Sequence, residues 1–417
     1  DSLIGGLAKL GGYKTLIMGT GTHTGLMSVE PVIKARELLK IAHRTSITEI
    51  LIFGREFISY DTGDEKSIAA KTELMNTLQE KKNLRIHIVT DAGGLKLFYI
   101  NNTADVVIFI ENDPKKTTGS PLVMNNTTFT VSSIHEAFDL SHKLLSLFSS
   151  KTIELKIAQH AGTPAIPPDP SKPFDMITSV IEPLFDPESF IEFYSGMNNP
   201  QTGPMLVTGL ARLNGITVGI IADQPLRKGG AADAYGTEKF RVFTRLLNSR
   251  NIPLIMLSNS SGFMPGLQQE TLRIQAIGAE SLDTNILGEI PVVSVVFNQN
   301  YGGRLIQAFN KFLRPGIVYL AFPHSILAVI GVKVAFDLLN RKKYDRLIDE
   351  GKQSEAEKLK TDFYKSYLAK SRGSADGVES GLVDSLIPDI KELRKYVTDG
   401  LDMAIHRCND AFPDSNK

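Results

Sequence analysis

The stretch Asn251 to Gln269 is the part of this chain best placed to do chemistry. An apolar run, Leu254 to Leu257, ends in the small polar cluster Ser258-Asn-Ser-Ser261 and the loop Gly262-Phe-Met-Pro-Gly266; Glu270 to Ser281 then has helical spacing. Strand, loop and helix in this order predict a unit of the kind on which α/β enzymes carry their sites. The loop opens a helix, so its N–H groups are free for an anion, although a helix-entry turn with Phe263 and Met264 in the core accounts for the same residue types. Downstream, Pro291 to Phe297 is an apolar strand that runs through Asn298-Gln-Asn-Tyr into Gly302-Gly303-Arg304. A second Gly-Gly pair, Gly93-Gly94 followed by Leu95, comes after Arg85-Ile-His-Ile-Val. Glycine permits close backbone approach, but either pair alone is also an ordinary turn.

No nucleophile with a general base is apparent in sequence. The eight histidines are scattered without HExxH or paired-ligand spacing, and Cys408 is the single cysteine, which excludes an internal disulfide and a multi-cysteine metal site. One cysteine fits a reducing compartment, cytoplasm or mitochondrial matrix. Gly19-Thr-Gly-Thr-His-Thr-Gly25 loosely resembles a dinucleotide fingerprint, but Glu49 lies inside the next strand rather than at its end, where a ribose-binding acid belongs. The 46 basic and 46 acidic residues cancel, which argues against a broad nucleic-acid or anionic-membrane footprint. No apolar run reaches the roughly 20 residues of a membrane helix. The chain opens on Asp1-Ser2 with no initiator methionine and no signal-like segment, which reads as a processed or truncated start.

The elements that position these residues recur. Gly6-Leu-Ala-Lys-Leu-Gly-Gly, followed by an apolar strand, returns 203 residues later as Gly209-Leu-Ala-Arg-Leu-Asn-Gly215 followed by Ile216 to Ala222. Lys34 to His43 before Glu49-Ile-Leu-Ile-Phe53 parallels Lys239 to Leu247 before Pro253 to Leu257, and the two Gly-Gly pairs correspond at an offset of 209. An internal repeat of this length predicts two tandem domains. Between the copies, Ala161 to Pro173 holds five prolines in 13 residues and reads as an extended linker. The expected organisation is therefore residues 1–160, a linker 161–173, and residues 174–417. Leu338 to Ala369, dense in charge with apolar residues at helical spacing, reads as a solvated helical pair covering the sheet.

The ordered set Gly209 to Pro225, Asn251 to Glu270 (with Gly-Phe-Met-Pro-Gly-Leu-Gln-Gln-Glu), Tyr301-Gly302-Gly303, Ala321-Phe-Pro323 and Ala328-Val-Ile-Gly331 resembles the carboxyltransferase subunit of biotin-dependent acyl-CoA carboxylases and the related decarboxylases. The likeness is strong over residues 174–405 and weak over residues 1–150. It implies an α/β fold of two tandem crotonase-like (ββα spiral) domains, the first shortened and degenerate here. It further implies acyl-CoA as substrate, carboxybiotin carried by a partner biotin carrier and biotin carboxylase subunit, and an oligomer, usually a hexamer.

In that family the carboxyl group passes from carboxybiotin to the α-carbon of the thioester through an enolate. The charge that develops on oxygen is held by backbone N–H groups where water is excluded. By this resemblance Gly302, Gly303 and the Arg304 amide form the biotin-side pocket, Gly93, Gly94 and the Leu95 amide face the thioester carbonyl, and Gly262, Phe263, Met264, Pro265 and Gly266 shape the wall. Asn259 stands where the family commonly has Asp, and Arg304 where it commonly has Ala. The first-half loop Gly54 to Gly63 lacks the small turn used against the acyl group. These departures leave a second reading, a catalytically inactive carboxyltransferase-like subunit with a structural role, whose signature would be Arg304, Phe57 or Tyr60 plugging the cleft. A crotonase-type hydratase or isomerase would want a carboxylate near the α-carbon, and none is placed to supply it.

Overall fold

In the computed structural model residues 3–20, 28–53, 64–80, 82–90, 102–111, 128–149, 162–167, 172–195, 203–371 and 375–413 are described. The chain divides into two compact units, 1–151 with 193–195, and 152–192 with 196–417. Each carries its own sheet.

The first unit begins with β1 (Leu3–Leu10) and β2 (Tyr13–Thr20), an antiparallel hairpin turned by Gly11 and Gly12. Both glycines have positive φ, 55° and 90°, as the tight turn requires. β3 (Thr48–Phe53), β4 (Arg85–Val89), β5 (Val106–Ile110) and β6 (Phe129–Val131) follow in parallel, in the order β1-β2-β3-β4-β5-β6. Every residue of β4 and β5 is buried, as expected for central parallel strands. Helix α1 (Val29–Thr45) presents Val32, Ala35, Leu39 and Ala42 to the core at helical spacing. α2 (Glu65–Gln79) starts on Asp64, whose side chain accepts from the Ser67 amide at 2.8 Å. α3 (Ile134–Phe148) starts on Ser133 in the same way.

At the amino ends of β3 and β4, Glu49 and Arg85 face each other in register and pair at 2.5 Å, both essentially inaccessible to water. Arg85 also donates to the carbonyls of Leu78 and Thr103, and Asn83 donates to Glu49 at 3.2 Å. Glu49 is thereby committed within the core, which removes it as a ribose-binding acid. Burial lowers the pKa of His43, 3.1 Å from the same carboxylate.

The second unit repeats the plan. β8 (Leu206–Leu213) and β9 (Ile216–Asp223) form a hairpin around Asn214 and Gly215, again both at positive φ. Leu3 pairs with Thr20 in the first hairpin and Leu206 with Asp223 in the second, so the two registers coincide at the offset of 203 seen in the sequence. β10 (Leu254–Ser260), β11 (Val292–Tyr301) and β12 (Ile317–Ala321) continue in parallel; β14 (Ser385–Leu386) and β7 (Ile191–Phe193) close the edges, and β13 (Ile326–Ala328) pairs with the far end of β11.

One face of this sheet buries Val218, Ile220, Ile255, Leu257, Val293, Val295 and Phe297 under α10 (Leu393–Ala411) and the segment Phe174 to Phe185. Gly400 lets α10 sit close, since a Cβ there would meet Val293 and Val318 at 3.3 and 3.5 Å. Helix α4 (Ala234–Ser249) is seated on Gly219, where a Cβ would lie 2.4 Å from Leu247. Part of the proline-rich segment is held by this unit: Ala165 donates to the Ser179 carbonyl at 2.9 Å and Ile166 packs on the core.

Two elements differ from expectation. The single helix read over Glu270 to Ser281 is two, α5 (Leu267–Thr271) and α6 (Ile274–Ile286), because Arg273 takes a left-handed conformation with φ 62° and breaks the hydrogen-bond ladder. The charged pair α8 (Val332–Asp349) and α9 (Gln353–Ser371) packs mainly on itself, with Phe336 against Phe363 and Tyr364, and meets the sheet at β13, where Tyr367 donates to the Ile330 carbonyl at 2.6 Å; Leu338 and Leu339 remain exposed. The helical period reported two helices correctly but carried no information on what they pack against. No helix among the described residues is long and apolar enough to cross a membrane.

Replacing Arg85 by Met is expected to strand Glu49 in the core and cost about 3–5 kcal/mol in chemical denaturation of the first unit. A loss below about 1 kcal/mol would contradict a fully desolvated pair.

Candidate active site at the carboxyl ends of the second sheet

Parallel strands end at one edge, and in open α/β sheets ligands bind there. β9 ends at Asp223, β10 at Ser258 to Ser260, β11 at Asn300 and Tyr301, and β12 runs into Phe322 to Ser325. Between β10 and β11 the register slips: Ser258 pairs with Val296 but Ser260 pairs with Asn300. The extra β11 residues form an irregularity of the kind that re-aims a strand end, and it delivers Tyr301-Gly302-Gly303.

Gly302 has φ 62° and ψ −139°, a combination that an L side chain resists. Its amide donates to the Ala328 carbonyl at 3.0 Å, and its own carbonyl receives the Leu305 amide at 3.1 Å. Helix α7 (Gly303–Gln307) starts there, so the Gly303 and Arg304 amides are first-turn donors whose helix offers them no acceptor. The Gly262 loop lies against this turn. A Cβ on Gly303 would come within 3.0 Å of the Phe263 ring, and one on Gly262 within 3.5 Å of the Tyr301 carbonyl.

The loop itself is held from a third side. Ala232 donates to the Gly262 carbonyl and Met264 to the Ala232 carbonyl, at 2.9 and 2.8 Å. Ser260 Oγ donates to the Gly230 carbonyl at 2.7 Å and accepts the Gly262 amide at 3.2 Å. Gly230 has φ 72°, and a Cβ there would lie 2.3 Å from the Asn259 carbonyl. Gln269 accepts the Ala234 amide at 2.8 Å. Pro265 and Gly266 are exposed at the entry to α5.

Beneath the turn is a closed polar network. Arg304 Nη2 pairs with Asp223 Oδ1 at 2.7 Å, with both side chains 1% exposed. Arg304 Nη1 donates to Gln307 Oε1 at 2.5 Å, and Gln307 Nε2 donates to Ser281 Oγ at 2.6 Å. The other Asp223 oxygen accepts the Asn259 amide at 2.9 Å and the Ser258 hydroxyl at 3.2 Å. The guanidinium lies over the Phe240 ring, 5.0 Å from its centroid. Asn259 Oδ1 and Arg304 Nε are buried without a hydrogen-bond partner. Nearby, Asn300 is fully buried, and burial pushes the Tyr319 phenol, which faces it, well up. His324 Nε2 lies 3.1 Å from Asn298 Oδ1, and burial lowers its imidazole pKa.

Of the residues singled out in sequence, the fold brings together Gly302, Gly303 and Arg304 with Gly262 and Phe263, and ties Met264 to Ala232. Gly93, Gly94, Leu95, Phe57, Tyr60 and the Gly54 to Gly63 loop lie outside the described residues, as does most of the Gly19 to Gly25 segment. Sequence reading missed Asp223, Gln307, Ser281 and Gly230. Asp223 had one signal, a charged residue closing an apolar strand, and Gln307 had one, its i,i+3 spacing from Arg304; the partners of Ser281 and Gly230 are distant in the chain.

The carboxyl transferase domain family matches residues 126–417. A putative propionyl-CoA carboxylase beta chain of Bacillus subtilis is 28% identical over 294 residues, covering 69% of this chain and 55% of the relative. The methylmalonyl-CoA carboxyltransferase 12S subunit of Propionibacterium freudenreichii is 33% identical over 216 residues, covering 51% of this chain and 40% of the relative. The chain thus spans about half the length of the curated relatives it matches. Among solved structures, the transcarboxylase 12S hexamer with methylmalonyl-coenzyme A bound superposes with a TM-score of 0.77 at 21% identity, over 97% of this chain and 82% of that one. A single-chain, multi-domain long-chain acyl-CoA carboxylase superposes with a TM-score of 0.72 at 18% identity, over 95% of this chain and 41% of that one. The architecture is the two-domain crotonase-like α/β fold that the repeat and the resemblance predicted, and with the match running through the whole of the second sheet this chain belongs to the carboxyl transferase domain family.

Proposed function

We propose that this chain is the carboxyltransferase component of a biotin-dependent acyl-CoA carboxylase, working as an oligomer with a biotin carboxylase and biotin carrier partner in a reducing compartment, cytoplasm or mitochondrial matrix. The observation that carries the proposal is the Gly302-Gly303 turn: two adjacent first-turn amides, Gly303 and Arg304, presented at the carboxyl ends of a parallel sheet with no acceptor within their own helix. Preorganised N–H donors of this kind stabilise an oxygen that gains charge in a transition state more than they stabilise the neutral ground state. The glycines admit the anion closely, and Phe263 against Gly303 walls one side from water.

Carboxybiotin, when bound, supplies the carboxyl group, and the acyl-CoA supplies the acceptor carbon. The work of this chain is to hold the ureido oxygen on the Gly303 and Arg304 amides and to keep the Gly262 to Gly266 loop closed over it. Gly93, Gly94 and the Leu95 amide are proposed to do the same for the thioester oxygen, in a first domain read as a shortened copy of the second. The inactive reading had Arg304, Phe57 or Tyr60 plugging the cleft, and of these only Arg304 is among the described residues. Its guanidinium is instead turned inward onto Asp223 and Phe240, which supports the enzyme reading.

Purified full-length chain is expected to bind short acyl-CoA thioesters in calorimetry and to carboxylate free biotin from malonyl- or methylmalonyl-CoA. Gly303→Val, which drives a side chain onto Phe263 and displaces a donor, is expected to lower kcat roughly 10²–10³-fold. A folded oligomer that binds no thioester would overturn the proposal.

A further inference from the structure

The buried pair at the site is more than a core ion pair, because of where its four ends go. Asp223 is the last residue of β9; its second oxygen holds the Asn259 amide and the Ser258 hydroxyl at the end of β10. Arg304 is the second residue of α7, and its remaining guanidinium edge reaches Gln307 and, through it, Ser281 on α6. One continuous chain of hydrogen bonds therefore links the strand ends that carry the Gly262 loop to the turn that carries the Gly303 and Arg304 amides. Arg304 is also one of the two donors, so its side chain anchors the very residue whose backbone faces the anion.

A desolvated ion pair is weak evidence for stability, since well-packed apolar residues do as well or better in its place. Its distinguishing property is direction. The planar guanidinium fixes its partners in a fork that an apolar contact does not impose.

We infer that the Asp223–Arg304 pair is a positioning strap that sets the Gly303 and Arg304 amides against the Gly262 loop, and that these two side chains act on carboxyl transfer without touching substrate. The inference rests on the function proposed above. Arg304→Ala keeps the amide and removes the tether, while Asp223→Ala strands the guanidinium, and the double variant removes both charges together.

The test is a double-variant cycle with three readouts: carboxylation of free biotin, thermal midpoint, and amide hydrogen exchange of the full chain. Each single variant is expected to lose about a hundredfold in kcat, the scale of a misplacement near 1 Å, with little change in KM for the acyl-CoA. The double variant should stay as low in kcat as Arg304→Ala, because the tether is still absent, while its thermal midpoint recovers over the worse single because the stranded charge is gone. In exchange, the Gly302 and Leu305 amides, bonded to the Ala328 and Gly302 carbonyls, should open in both single variants while Val295 and Phe297 in mid-β11 stay protected. Unchanged kcat with a lowered midpoint and uniformly faster exchange would overturn the inference and leave a stability element only. If the unsubstituted protein transfers no carboxyl group, the proposed function fails on that arm. The exchange arm still decides the strap: opening confined to Gly302 and Leu305 supports it, and uniform or absent opening sinks it.

Discussion

A carboxylate and a guanidinium withdrawn together from water cannot be left half-made, and the second unit is arranged around that constraint. Asp223 and Arg304 are 81 residues apart, on the last residue of one strand and the first turn of a short helix. Burying either without the other would cost several kcal/mol. Satisfying both requires β9, β10, α6 and α7 to arrive in one relative geometry, and that geometry is also what puts the Gly302 turn beside the Gly262 loop. The first unit holds a comparable pair, Glu49 with Arg85, but at the amino ends of its strands. At the in-register pair of the second sheet, Leu254 and Val292 are apolar. Among the described residues, the first unit's pair thus lies at the amino ends of its strands and the second unit's at the carboxyl end of β9, the edge at which open α/β sheets bind ligands.

Glycine decides how closely the pieces meet. At Gly230 a side chain would collide with the Asn259 carbonyl, and at Gly302 the backbone conformation itself excludes one. These positions set the loop, the turn and the strand ends within van der Waals reach of each other. In the proposed site the donors are main-chain amides, and the surrounding side chains serve as walls and tethers. Chemistry that runs through an oxyanion asks for little more than this.

The carboxyl transferase domain match, residues 126–417, runs through the whole of the second sheet. The repeated hairpin, in identical register, gives each half an antiparallel start and a parallel continuation. A duplicated fold of this kind offers two equivalent strand-end turns. In this chain the second is built from Gly302 and Gly303 and braced from below.

What the sequence determined by itself was periodic or local. The Gly-turn hairpins, the apolar parallel strands and the repeat at 203 residues are written in residue types within short windows, so the fold class and the Gly262 and Gly302 segments were legible without coordinates. The α8–α9 pair was legible as two helices but not as a self-packed hairpin, because helical spacing states which face is apolar and not what covers it. The break at Arg273 escaped because a left-handed residue other than glycine has no compositional mark. Only the tertiary structure decided the direction of the Arg304 side chain. Read from sequence it could plug the cleft; the structure pairs it with Asp223, and nothing local to either residue points to the other. Long-range pairing of buried charge is a property of the packed chain, since it is set by which strand ends become neighbours.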